Sequence, residues 1–173
     1  MKATPQQHPF EPLFDTNSEV LILGSFPSVK SRETGFYYGH PQNRFWRVIA
    51  TLTSGPLPQT IPEKRALLLK SHIALWDSIA SCTIAGSSDS SIRSAVPNDI
   101  GIILSSAHIK GIFCNGKASF NCYNRFILPQ TGINAKPLPS TSAANAAWSL
   151  DRLIEAWDII MQFIGDSQTP SSR

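Results

Sequence analysis

Apolar positions fall along this chain in short unbroken runs separated by segments of helical period. The first run is 19-EVLILG-24, where apolar residues lead straight to a glycine, the pattern of a strand buried on both faces that runs into a loop. Similar runs occur at 73-IALW-76, ending at Asp77, and at 111-GIFC-114, ending at Asn115-Gly116. A fourth strand is predicted near 133-INAKPLP-139. Between the strands the period changes. Phe45, Val48, Ile49 and Leu52 recur at i, i+3, i+4 and i+7 behind Pro41, which predicts a helix from about 42 to 53. Thr60-Ile61-Pro62-Glu63 matches a capping box with proline in the first turn, so a second helix should run through about Lys70. Pro97-Asn98 is expected to cap a helix reaching about Ser106, and another helix is expected over about 117–127. The last stripe is the strongest: Leu150, Leu153, Ile154, Trp157, Ile160, Met161 and Ile164 lie on one helical face, with Ser142 as the expected N-cap. The Ser-rich stretch 81–97 shows only a hint of helix at Asp89, Ile92 and Arg93, and the tail 166–173 is expected to be loose.

Strands alternating with helices imply a parallel sheet covered on both faces. The expected fold class is α/β, a three-layer α/β/α sandwich with a central four-stranded parallel sheet. Residues 1–165 are expected to form one domain. In such sheets ligands bind beyond the carboxyl ends of the strands. That rule gathers Gly24 to Ser28, Asp77, Asn115-Gly116 and Leu138 to Ser142 around one crevice.

Composition narrows the function. With 173 residues, 42% of them hydrophobic and 16% charged, the chain can bury one sizeable core. No run approaches the roughly 18 apolar residues of a membrane span, and MKATPQQHPFEP lacks a signal-peptide pattern, so an intracellular, cytoplasmic protein without a membrane partner is expected. Cys82, Cys114 and Cys122 show no CxxC spacing, and the four histidines show no HxxxH, which predicts reduced thiols and no metal. The loop after Gly24 fits neither GxGxxG nor GxxxxGK[ST], so no nucleotide cofactor is supported. It is not GxSxG either, which argues against a nucleophilic serine. The net charge is only +3, but Lys30, Arg32, Arg44 and Arg47 against Glu33 place that whole excess in residues 30–47. Such a segment is either a local nucleic-acid patch or a set of solvated side chains.

The long connection 25–42 leads into 36-FYYGHPQNRFW-46, which is rich in rings and poor in charge. Long loops inside compact domains are usually functional or disordered, and the aromatic content argues against disorder. Phe45 and Trp46 read as helix core, leaving Tyr37 and Tyr38 to hold a flat ligand, while Asn43 offers both a donor and an acceptor to a heterocycle. At 138-LPSTS-142 a strand ends and a helix is expected to begin, where free amides suit an anion such as a DNA phosphate or simply form a cap.

Gly24-Ser25-Phe26-Pro27-Ser28 followed by 37-YYGHPQNRFW-46 resembles the first motif region of the uracil-DNA glycosylase superfamily, most closely its hypoxanthine-DNA (DNA-deoxyinosine) glycosylase branch. The HPxNRFW pattern is also similar to mismatch-specific uracil glycosylases. Further matches are 75-LWDSIASC-82, Pro97-Asn98-Asp99, Asn115-Gly116-Lys117-Ala118 and 138-LPSTS-142, in family order over roughly residues 19–160. The resemblance implies a monofunctional glycosylase that flips a deaminated base from double-stranded DNA and hydrolyses its N-glycosidic bond, as a monomer without cofactor. It implies Asn43 as the catalytic polar residue. Gly24, Ser25, Phe26, Pro27 and Ser28, with Tyr38 and Gly39, would form the base pocket, and Tyr38 would stack on the base. Lys30, Arg44, Ser140, Thr141 and Ser142 would meet the DNA. Many members carry Asp or Asn where this chain has Phe26, and an apolar ring cannot orient the attacking water. Two other expectations stay open: a glycosylase for uracil or xanthine, and a non-catalytic nucleic-acid or nucleotide binding domain, which Phe26 favours.

Overall fold

The structure, a computed structural model, describes residues 2–165. The elements in chain order are β1 (Thr4–Gln7), β2 (Val20–Gly24), α1 (Val29–Thr34), α2 (Phe45–Leu52), α3 (Ile61–Lys70), β3 (Ile73–Asp77), β4 (Ile79–Ile84), β5 (Arg93–Pro97), α4 (Gly101–Leu104), β6 (Gly111–Asn115), α5 (Lys117–Cys122), α6 (Leu128–Thr131), β7 (Lys136–Leu138) and α7 (Leu150–Trp157). A single π-helical stretch, Tyr123–Ile127, joins α5 to α6. Among the described residues, no helix is long and apolar enough to cross a membrane.

The central sheet has the order β3-β2-β6-β7, all parallel, and is flanked by helices as the α/β/α reading expects. Val20, Leu21, Ile22 and Leu23 are completely buried, which explains why β2 reads as an unbroken apolar run rather than an alternating one. Each such side chain contributes roughly 1.5–3 kcal/mol by leaving water. Register brings the functional ends together: Gly24 lies beside Asp77, and Asn115 beside Leu138. The core continues through Phe45, Val48 and Ile49 of α2 to Leu153 and Trp157 of α7. The rings of Phe45 and Trp157 meet edge to face at 5.9 Å.

A second sheet, antiparallel in the order β1-β4-β5, departs from the sequence expectation. It escapes notice because β1 is the polar TPQQ and β5 the mostly exposed RSAVP. Only Ser78 separates β3 from β4, so the chain leaves one sheet and enters the other almost without a turn. Other boundaries also moved. The loop 25–42 contains α1, capped by the Ser28 hydroxyl at the Ser31 amide. The helix expected from 42 starts at Phe45. Asn98 does not cap a helix; its amide donates to the carbonyls of Asp77 and Ile79 at 2.8 and 3.2 Å, and α4 begins only at Gly101. The expected cap Ser142 lies well before α7, and Ser149 caps that helix by accepting from the Arg152 amide. The apolar stripe continues past α7 through a 3-10 stretch, Asp158–Phe163. The expected loose tail, 166–173, lies outside the described residues.

Candidate active site

The carboxyl ends of the four parallel strands surround a cavity of about 340 Å³, lined by the loop Gly24 to Ser28, by Tyr38 and Asn43, by Asp77 and Asn115, and by Ser140 to Ala144. That volume is within the range of small-molecule sites, about 300–1,000 Å³. Ser31, Tyr37, His40 and Gln42 also border it, as do Ser87 and Asp89 from the turn between β4 and β5.

Asn43 is fixed by two donors. Its Oδ1 accepts from the Phe45 backbone amide and from the Thr141 hydroxyl, both at 2.9 Å. A backbone N–H only donates, so the oxygen of the amide must be the atom facing it. The Asn43 Nδ2 group then makes no hydrogen bond among the described residues, which leaves a donor pair on a cavity-lining side chain. Thr141 is held from its other side: Asn115 Nδ2 donates to its hydroxyl at 3.0 Å, and its own amide donates to Asn115 Oδ1 at 3.0 Å. The end of β6, the segment after β7 and the start of α2 are thereby joined in one chain of hydrogen bonds.

Tyr38 sits at φ 51°, a left-handed conformation that is costly for a bulky side chain, about 1–3 kcal/mol, and that typically persists at functional sites. One face of its ring stacks on Phe45, with centroids 4.2 Å apart. Its hydroxyl is buried and has no hydrogen-bond partner among the described residues. Burial, reinforced by the Asp77 charge, raises its pKa well above that of an ordinary tyrosine, so the hydroxyl remains a proton donor. Tyr37, expected to share the ligand, borders the cavity but is anchored in the core: it is 2% exposed and its hydroxyl donates to the Glu11 carbonyl at 2.8 Å.

Two acids border the cavity. Asp77 is buried against His8, with Oδ2 and Nε2 2.7 Å apart. Asp89, exposed toward solvent, accepts from the Ser25 hydroxyl at 2.7 Å. Protein atoms around the Asp89 carboxyl and the neighbouring Asp77 charge raise its pKa against the opposing effect of that bond. Sequence spacing gave no sign of His8, because its partner is 69 residues away. In the sequence Asp89 reads only as part of a helix hint in a Ser-rich stretch. These thiols offer no alternative nucleophile: desolvation pushes the buried Cys114 up to about 12 and the half-buried Cys122 up to about 11.

Several sequence-predicted residues have different surroundings from those expected. Gly39 does not line the cavity; its amide donates to the Ser31 hydroxyl, and a Cβ there would lie 2.2 Å from Thr34 Oγ1, so glycine is needed for packing against α1. Arg44 turns inward, with its guanidinium donating to the carbonyls of Thr141, Ser142, Asn145 and Trp148. It ties down the 141–148 segment, and those donors are not free for a phosphate. Thr141 is wholly buried and cannot touch DNA. Ser140 and Ser142 remain on the cavity wall. Lys30 is exposed on α1, 3.8 Å from Glu33. Phe26 is buried with Ile79, Cys82 and Ile84, and lies under the Arg32 guanidinium.

Known proteins are similar to this chain in sequence and architecture. Residues 11–160 match the model of the family described as the uracil DNA glycosylase superfamily. A hypoxanthine DNA glycosylase of Methanosarcina acetivorans is 33% identical over 154 residues, covering 88% of this chain and 96% of the relative. Another from Methanosarcina barkeri is 36% identical over 138 residues, covering 79% and 86%. The solution structure of a candidate uracil DNA glycosylase from Methanosarcina acetivorans superposes with a TM-score of 0.78 at 30% identity, covering 92% of this chain and 98% of that one.

Proposed function

Because this chain belongs to the uracil DNA glycosylase superfamily, we propose that it is a monofunctional DNA glycosylase that excises a deaminated base, hypoxanthine before uracil or xanthine. The observation that carries the chemistry is the fixed amide of Asn43, whose Nδ2 donors are left for a ligand while Oδ1 is taken by Phe45 and Thr141.

Glycosidic cleavage sends the C1′–N9 electron pair to the base and leaves positive charge on the sugar. Water then adds its oxygen to C1′, and its proton ends on the released base. Donors preorganised toward the base stabilise that departure, and in a dry site they act more strongly than in water. The Asn43 Nδ2 group is such a donor. Tyr38 also presents a ring to the base, with Phe45 backing its other face. Extrusion of a base costs a few kcal/mol, least at a mispair, and stacking returns roughly 1–3 kcal/mol. Lys30 and the Ser140 and Ser142 hydroxyls are assigned to the DNA backbone.

The test uses duplexes carrying a single deoxyinosine, deoxyuridine or deoxyxanthosine, incubated with the protein and then cleaved at abasic sites with alkali. Strand breaks are expected at deoxyinosine first. Breaks at none of the three would leave a binding domain, the reading that Phe26 favours.

A further inference from the structure

The cavity that presents a donor from Asn43 also presents an acceptor, and a hydrogen bond fixes the orientation of that acceptor. Asp77 ends β3 beside Gly24, so close that a Cβ at Gly24 would sit 2.3 Å from Asp77 Oδ1. Its Oδ2 meets His8 Nε2 at 2.7 Å, with the two side chains 5% and 4% exposed respectively. His8 is anchored in its turn. Its backbone amide donates to the Ala80 carbonyl at 2.7 Å, and its Nδ1 lies 2.9 Å from the Phe10 carbonyl and 3.2 Å from the Phe10 amide. Asn98 straps the backbone on both sides of Ser78. With Oδ2 engaged, Oδ1 carries no hydrogen bond among the described residues, on a residue that lines the cavity.

A carboxylate oxygen accepts and does not donate. Deamination changes a purine in a way that such an acceptor can read, because adenine carries a lone pair at N1 where hypoxanthine carries N1–H. We propose that Asp77, oriented by His8, accepts the N1–H of the flipped base and so separates the deaminated purine from its amino parent. This inference rests on the glycosylase reading above. Asp77 is the specificity residue and His8 a positioning residue that acts through it. The contact opposes departure of an anionic base, so it serves selection, while Asn43 serves the departure. A site built around a substrate N–H rejects the analogue lacking it because its own polar group is left unpaired.

An isosteric exchange turns the idea into a measurement. In Asp77→Asn, the His8 Nε2–H would hold the amide oxygen and turn the NH2 group toward the base, where it suits an N1 lone pair. Single-turnover excision is compared on duplexes containing deoxyinosine and 2′-deoxynebularine, whose N1 is unprotonated. Asp77→Asn should lower the inosine-to-nebularine ratio at least about tenfold. His8→Ala should lower it in the otherwise native protein by freeing the carboxylate, and His8→Gln, which keeps a donor, should restore it. An unchanged ratio in Asp77→Asn, or in a folded His8→Ala, overturns the proposal. Should Asp77→Asn fail to fold, the two His8 variants still decide, and wild-type excision of 1-methyl-deoxyinosine at the rate of deoxyinosine would overturn the proposal without any variant. Wild-type protein inactive on deoxyinosine would instead remove the glycosylase reading, an outcome distinct from an active enzyme with an unchanged ratio.

Discussion

The Thr141 hydroxyl donates to Asn43 Oδ1 at 2.9 Å across 98 residues of sequence, and Thr141 itself is wholly buried. This contact helps decide which end of the Asn43 amide faces the cavity. Thr141→Val keeps the shape and removes the donor, so excision should slow by about tenfold, equivalent to ~1.4 kcal/mol, chiefly in kcat. Thr141→Ser should recover most of the rate. Single-turnover kinetics on deoxyinosine duplexes measure both, and a Val variant with native kcat would detach Thr141 from the chemistry.

If Asn43 acts as a donor, its two obvious replacements should both fail. Asn43→Ala removes the donors, and Asn43→Asp retains the acceptor for Phe45 and Thr141 while replacing NH2 by oxygen. Each should lower the rate by about 10²–10³, the usual cost of losing a preorganised donor. The fold should survive in both, read from thermal unfolding. An active Asp variant would show that the acceptor end is what matters.

Arg44 should behave as a structural residue. Its planar fork reaches four backbone carbonyls, a pattern a lysine cannot reproduce. Arg44→Lys should therefore lower the melting temperature while leaving the salt dependence of DNA binding close to that of wild type. For an exposed cation on DNA the opposite is expected, with the slope of log K against log salt falling by about one unit in magnitude. Lys30→Ala provides that comparison.

Glu19 links the opposite end of β2 to its neighbours, accepting from Lys110 at 2.5 Å, from His72 at 2.7 Å and from the Gly165 amide at 3.2 Å. Burial acts to raise its pKa, but these bonds outweigh it and hold the carboxyl below the usual 4.5. A lowered folded-state pKa stabilises the protein above the unfolded value, and that contribution disappears as pH falls through the folded value. Glu19→Gln should cost roughly 2 kcal/mol at pH 7. The difference from wild type should shrink steadily below about pH 4.5, as followed by denaturant unfolding across pH.

The parallel sheet was legible because burial on both faces writes an unbroken apolar run into β2, β3 and β6. The helix over Ile61–Lys70 was legible from its capping box: the Thr60 hydroxyl accepts from the Glu63 amide, while the Glu63 carboxylate accepts from the Gln59 amide one residue earlier than the box expects. What escaped was set by distant partners. Nothing local in Thr-Pro-Gln-Gln announces a strand whose mate is Ser81–Ile84. Arg44 announces a charge but not the four carbonyls that consume it. Asn43 could be singled out from its motif, whereas the direction of its amide depends on Thr141. Asp77 could be assigned to the crevice from strand topology, but its fixed orientation depends on His8, which belongs to the second sheet's arm.

That arm gives the site two walls of unequal durability. β1 is four mostly exposed residues, paired on one side only, whereas Asn43 and Thr141 are rooted between the core helix α2 and the inner strand β6. Local opening begins where few apolar contacts oppose it. Amide protons of β1 should exchange with solvent well before those of β2. As the arm peels away, His8 leaves Asp77 while the donor chain of Asn43, Thr141 and Asn115 stays assembled. If Asp77 selects the base as proposed, warming short of global unfolding would then erode fidelity before turnover, and the enzyme would grow careless before it grew slow.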